Sequence, residues 1–147
     1  MFSTCDIDQI LPNLYLGSIF AAGNEETLED NEITHILTMG NYMEPKFPDK
    51  FEYKVCKLDD DDTEDIKQYF HEGIEFIDEA IKNGGTVFVH CAAGVSRSSS
   101  MICAYLMKTY NWKFAKALSF TQERRWVVCP NSGFQKQLQE FEIEEGI

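Results

Sequence analysis

The sequence predicts an α/β fold in a single domain: a mainly parallel central sheet of about five strands, flanked by helices on both faces. Three observations carry this expectation. The chain has 147 residues, 44% hydrophobic and 26% charged, which is the size and usage of one ordinary globular core. Short β-branched apolar runs alternate with stretches of helical period, and the runs are joined through helices rather than hairpins. No internal repeat and no Pro-, Ser- or Gly-rich linker divides the chain, so one domain is expected over 1–147.

In chain order, Ile10–Leu11–Pro12–Asn13–Leu14–Tyr15–Leu16–Gly17 reads as two short strands around a Pro-Asn turn. Residues 21–31 read as a short acidic helix. Ile33–Thr34–His35–Ile36–Leu37–Thr38 is a β-branched apolar run, the mark of a buried strand. Pro45 and Pro48 make 41–50 a loop, and 51–58 returns to strand character. Then comes Asp59–Asp60–Asp61–Asp62–Thr63–Glu64–Asp65, six acids in seven positions. The next helix has the clearest pattern: Ile66, Tyr69, Phe70, Ile74, Ile77 and Ile81 fall at spacings of 3, 1, 4, 3 and 4, one apolar stripe. Asp65 with Gln68 forms a capping-box pattern at its start, and Gly84–Gly85 ends it. Thr86–Val87–Phe88–Val89–His90 is a short strand with an apolar centre. Helices are expected over about 98–110 and 113–124, and Pro130 precedes a last amphipathic helix carrying Phe134, Leu138 and Phe141. Ligands of such sheets bind beyond the carboxyl ends of the strands, so chemistry is expected in the loop leaving 86–90.

Composition narrows the function classes. With 13 Lys+Arg against 25 Asp+Glu, the formal net charge is -12, which repels nucleic acid and anionic lipid at long range. No run approaches the roughly 20 apolar residues of a membrane helix. Met1 opens into Phe2–Ser3–Thr4–Cys5–Asp6 with no basic flank, which predicts no secretory leader and a cytoplasmic location, the nucleus being the alternative. The five cysteines, Cys5, Cys56, Cys91, Cys103 and Cys129, contain no CxxC pair and no zinc spacing. Most are expected to be small buried apolar residues.

Cys91 is the exception. The loop reads His90–Cys91–Ala92–Ala93–Gly94–Val95–Ser96–Arg97–Ser98 and runs from a buried strand to a helix start. Its small residues let backbone N–H groups converge into an anion nest closed by a helix N-terminus. A cysteine at the floor of that nest, with Arg97 beside it, is expected to be stabilised as the thiolate. The planar fork of Arg97 suits two phosphoryl oxygens at once. Together these make a phosphate trap with a nucleophile already in it.

This H-C-x5-R-S/T pattern resembles the signature of cysteine-dependent protein phosphatases, and the chain as a whole resembles the small atypical dual-specificity phosphatases. Ile10–Gly17, Ile33–Leu37, the loop 92–98 and Pro130–Asn131–Ser132–Gly133–Phe134 each resemble a family segment. No segment of this sequence resembles an N-terminal rhodanese-like docking domain, so a place with the catalytic-domain-only members is expected. The resemblance implies hydrolysis of phosphotyrosine and phosphoserine/phosphothreonine on protein substrates, without a cofactor or metal. It implies that Cys91 attacks phosphorus and forms a phosphocysteine, while Arg97 and the amides of Ala92, Ala93, Gly94, Val95, Ser96 and Arg97 hold the equatorial oxygens. Ser98 would donate a hydrogen bond to the thiolate, and His90 would orient the loop. Asn131 would brace the loop, or else simply cap the last helix.

The leaving group needs a proton, and Asp59–Asp60–Asp61–Asp62 offers four donors. The family's acid lies six residues before the apolar residue opening the helix, which is Ile66 here, so the resemblance selects Asp60. Arg124 and Arg125 are a possible second anion contact; Arg125 occupies a family position, whereas Arg124 is expected to pair with a surface carboxylate. Trp126 is expected in the loop packing and Cys103 in the core. Cys56 is a weak candidate for resolving an oxidised Cys91. Two other classes stand beside the enzyme reading: a phosphoprotein-binding module without turnover, and a phosphatase of phosphoinositide or RNA 5′-triphosphate. The loop lacks the lysines expected for such polyanions.

Overall fold

The computed structural model describes residues 5–147. Met1–Thr4, on which the no-leader reading and the first positions of the expected domain rest, lie outside the described residues. The described residues form five strands, β1 (Ile7–Leu11), β2 (Leu14–Gly17), β3 (His35–Met39), β4 (Glu52–Cys56) and β5 (Val87–His90), in one sheet of order β1-β2-β5-β3-β4. β2, β5, β3 and β4 run parallel. Only Pro12 and Asn13 separate β1 from β2, too short for a crossover, so this pair is the antiparallel hairpin in a sheet otherwise joined by crossovers.

The helices are α1 (Ile19–Ala22), α2 (Glu25–Asp30), α3 (Phe70–Lys82), α4 (Arg97–Tyr110), α5 (Phe114–Arg124) and α6 (Ser132–Glu144). They cover both faces unequally. Val87 and Val89 of β5 point into the main core with Ile77, Met101, Ala117, Phe134 and Phe141, from α3 to α6. Phe88 points the other way, onto Ala21, Ala22 and Leu28 of α1 and α2. Phe70, Phe88, Phe134 and Phe141 are fully buried, each stabilising the fold by about 1.5–3 kcal/mol.

Two element boundaries differ from expectation. The helix expected over 21–31 is split at Gly23, because Asn24 caps a new helix: its Oδ1 accepts from Thr27 N–H at 2.9 Å. The helix expected from Ile66 begins as a 3-10 turn, Lys67–Tyr69. There Asp65 Oδ1 accepts from Gln68 N–H at 3.2 Å, but the Gln68 amide donates to the Asp65 carbonyl at 2.9 Å and so does not complete the usual reciprocal box. Gly84 ends α3 at φ +82, as its position suggested. The carboxyl ends of β5 and β3 meet the start of α4 at one edge of the sheet, where the candidate site lies.

Candidate active site

The loop between β5 and α4 is defined by where its carbonyls go. Cys91 O faces His90 Nδ1 at 3.1 Å, and Ala92 O accepts from Ile19 N–H at 3.0 Å. Ala93 O and Gly94 O accept from the Arg125 guanidinium at 3.0 and 2.9 Å. Val95 O accepts from Cys129 N–H at 2.8 Å and from the Ser99 hydroxyl at 2.6 Å. Ser96 O accepts from the Ser100 hydroxyl at 2.7 Å. Every carbonyl from Cys91 to Ser96 is therefore held outward, and the N–H groups of Ala92 to Ser96 donate to no protein group among the described residues. A ring of free N–H donors at the start of a 14-residue helix is an anion nest. Gly94 makes it possible: φ is +68, and a Cβ there would stand 2.5 Å from the Gly17 carbonyl oxygen.

Cys91 is only 3% exposed, and its Sγ lies 3.0 Å from Ser98 Oγ. Arg97 is anchored by one nitrogen, NH1 donating to Leu58 O at 3.1 Å, while its Nε is buried with no protein partner. That leaves a guanidinium N–H for an anion in the nest. His90 is buried beneath the loop. Burial pushes its pKa down to about 4, the bond at the Cys91 carbonyl opposing and the Arg97 charge adding to the fall. The ring is thus neutral near pH 7. Because a carbonyl only accepts, Nδ1 carries the hydrogen and Nε2 accepts from the Thr38 hydroxyl at 2.9 Å. His90 is consequently a fixed spacer between β3 and the loop.

The four aspartates are sorted by their partners. Asp59 Oδ1 accepts from Asn41 at 2.9 Å, and Asp61 Oδ1 accepts from the Thr63 hydroxyl and N–H at 2.7 and 2.8 Å. The Thr63 hydroxyl holds Asp61 below the usual carboxylate range. Asp62 lies with its backbone against Gly133, where any Cβ would collide with it. Asp60 Oδ1 alone accepts from Asn131 Nδ2, at 2.9 Å. Asn131 also donates its N–H to Ser96 Oγ at 2.9 Å and caps α6 by accepting from Phe134 N–H at 2.9 Å. The two roles left open for Asn131, bracing the loop and capping, are thus made by different atoms of one residue.

Three peripheral expectations need correction or refinement. Arg125 is not a second anion contact: it is 3% exposed and behind the nest, with Asp6 and Asp8 on its NH1 at 2.9 Å each. The sequence signal for Asp6 and Asp8 is their i, i+2 spacing, which on an extended chain puts both on one side. Trp126 is not packed but 87% exposed; Arg125 is extended and turned inward, so the next side chain points out. Cys56 is buried, and burial pushes its thiol up to about 12. It pairs with Met39 on β3, which separates β4 from β5, so it stands two strand spacings from Cys91, about 10 Å, beyond disulfide reach. Arg124 pairs with Glu123 at 3.6 Å and Cys103 is in the core, as expected.

The chain is similar to known proteins along most of its length. A family model described as "Dual specificity phosphatase, catalytic domain" matches residues 14–144. "Dual specificity protein phosphatase 1B" of Arabidopsis thaliana is 43% identical over 93% of this chain and 82% of the relative. "Dual specificity protein phosphatase 1" of the same plant is 45% identical over 88% of this chain, which spans only 65% of that relative. Among solved structures, the human tyrosine phosphatase-like serine/threonine/tyrosine-interacting protein is similar at a TM-score of 0.92 and 37% identity, over 96% of this chain and 98% of that one.

Proposed function

Because the chain belongs to the dual-specificity phosphatase catalytic-domain family, a family of cysteine-based protein phosphatases, we propose that it hydrolyses phosphotyrosine and phosphoserine/phosphothreonine through a phosphocysteine on Cys91. The Cys91 thiolate attacks phosphorus, the ester P–O bond breaks, and Asp60 protonates the departing oxygen. In the second step Asp60 takes a proton from water, which attacks phosphorus and expels the thiolate, with Ser98 donating a hydrogen bond to the sulfur. The nest amides and Arg97 hold the equatorial oxygens through both steps.

The observation that carries this reading is the outward pairing of every carbonyl from Cys91 to Ser96, which leaves the N–H donors free at the nucleophile. The binding-module reading draws on the human structural neighbour, which is named as an interacting protein. The enzyme reading is supported by the contact of Cys91 Sγ with Ser98 Oγ and by the link from Asp60 through Asn131 to Ser96 of the nest. Cys56, Cys91, Cys103 and Cys129 are unbridged thiols, which suits a reducing compartment, and we assign the substrates to cytoplasmic phosphoproteins. No helix among the described residues is long and apolar enough to cross a membrane.

Hydrolysis of p-nitrophenyl phosphate and of pTyr and pThr peptides by the wild type, abolished in Cys91→Ser with oxyanion binding retained, is the expected result. Wild-type protein that binds phosphopeptides without releasing phosphate would instead establish the binding module.

A further inference from the structure

Beside the nest, on the face of the sheet covered by α1, lies a cavity of about 360 Å³. Ile19 and Gly23 at the two ends of α1 form one wall, Tyr42 and Met43 the other, and Thr38 and His90 the floor. It adjoins the nest on both sides. Ile19 N–H is bonded to Ala92 O, and Met43 crowds the same side of Gly40 that faces Arg97 NH1.

Apart from Glu44, which is exposed to solvent, the polar groups on the inner lining of this cavity are held by protein partners. Thr38 and His90 bond each other, Lys46 Nζ donates to Gly23 O at 3.0 Å, and the Tyr53 hydroxyl accepts from Phe47 N–H at 3.1 Å. An incoming polar group would lose water without gaining these partners, so the space suits an apolar group. Its lip is apolar as well: Ile19, Phe20 beside it and Tyr42 are exposed large hydrophobics, Tyr42 at 97%. Tyr42 is also held at φ +60, a left-handed backbone that a bulky aromatic adopts only at a cost and that clusters at ligand clamps.

We propose that this cavity is a specificity subsite that receives an apolar side chain of the substrate, two positions from the phosphorylated residue, on a peptide lying extended across the mouth of the nest. The proposal rests on the phosphatase reading above. In an extended chain the next side chain on the same face is two residues along, about 7 Å away. A site sharing its walls with the phosphate nest is therefore met by that side chain and not by the immediate neighbour.

The test uses pairs of phosphotyrosine peptides identical except for Leu or Gly two positions before or after the phosphotyrosine. The Leu peptide is expected to have a kcat/KM about 10- to 100-fold higher on one side. Gly23→Leu fills the cavity without backbone strain, since a Cβ there meets Lys46 and the Ile19 carbonyl only at 3.5 Å. In this variant the Leu-to-Gly ratio is expected to collapse towards one. Tyr42→Ala, at an exposed position, repeats the test should Gly23→Leu fail to fold. Measuring the same pairs as equilibrium binding to Cys91→Ser keeps the result independent of turnover, while p-nitrophenyl phosphate hydrolysis tests the phosphatase reading separately. Equal values for Leu and Gly peptides, or a ratio that survives in the variants, would overturn the subsite. A uniform slowing of all phosphotyrosine peptides would also overturn it, because the cavity would then hold the phosphotyrosine ring.

Discussion

At the scale of single residues, the acidic run poses a problem that the spacing of carboxylates does not solve. Four adjacent aspartates are chemically equivalent on paper, and only the family register singled out Asp60. The structure separates them through their partners: Asp59 goes to Asn41, Asp61 folds back on Thr63, and Asp60 meets Asn131, whose N–H reaches Ser96 of the nest. Asp60→Asn is therefore expected to lower kcat by about 10²–10⁴-fold with little change in KM, the range for losing a general acid. Ala substitutions at Asp59, Asp61 and Asp62 should each be mild. Steady-state kinetics on an aryl phosphate and on a phosphothreonine peptide would check this, the poorer leaving group suffering more. A large loss at Asp59 instead would move the acid by one residue.

At the scale of elements, the nest is shaped as much by its surroundings as by its own sequence. Its centre was legible, since Cys91, Gly94 and Arg97 are set by local spacing and by the strand and helix on either side. Its supports were not, because they arrive from far along the chain: Asp6 meets Arg125 across 119 residues, and Ile19 and Cys129 lend backbone N–H groups that no side-chain pattern advertises. The directions of Arg125 and Trp126 are not legible for the same reason, as they depend on how the end of α5 turns. Arg125→Lys retains a charge for Asp6 and Asp8 but cannot fork onto the Ala93 and Gly94 carbonyls. We expect a folded protein whose kcat/KM falls about 10²-fold, as for small displacements of catalytic groups, with tungstate inhibition weakened in parallel. Unchanged inhibition would mean that the nest keeps its shape without Arg125.

Across the whole molecule, two terms act with opposite sign as pH falls. The net charge of -12 repels itself at neutral pH, and protonating carboxylates relieves it, but mainly near their own titration range. His90 acts earlier. Its pKa is about 4 when folded against 6.5 unfolded, so the unfolded chain takes up the proton first. The stability that His90 contributes is complete above pH 6.5 and is lost as pH falls towards 4, on the order of 1–2 kcal/mol by pH 5. The comparison is made against a variant that lacks only the His90 ring, so that contributions common to both proteins cancel. His90→Asn retains a donor for the Cys91 carbonyl and removes the titrating ring. Urea unfolding at pH 7 and pH 5 should give a wild type that loses more stability than His90→Asn by that amount. Equal losses in the two proteins would mean that the ring accepts a proton in place, and its fixed neutral role between Thr38 and the nest would have to be abandoned.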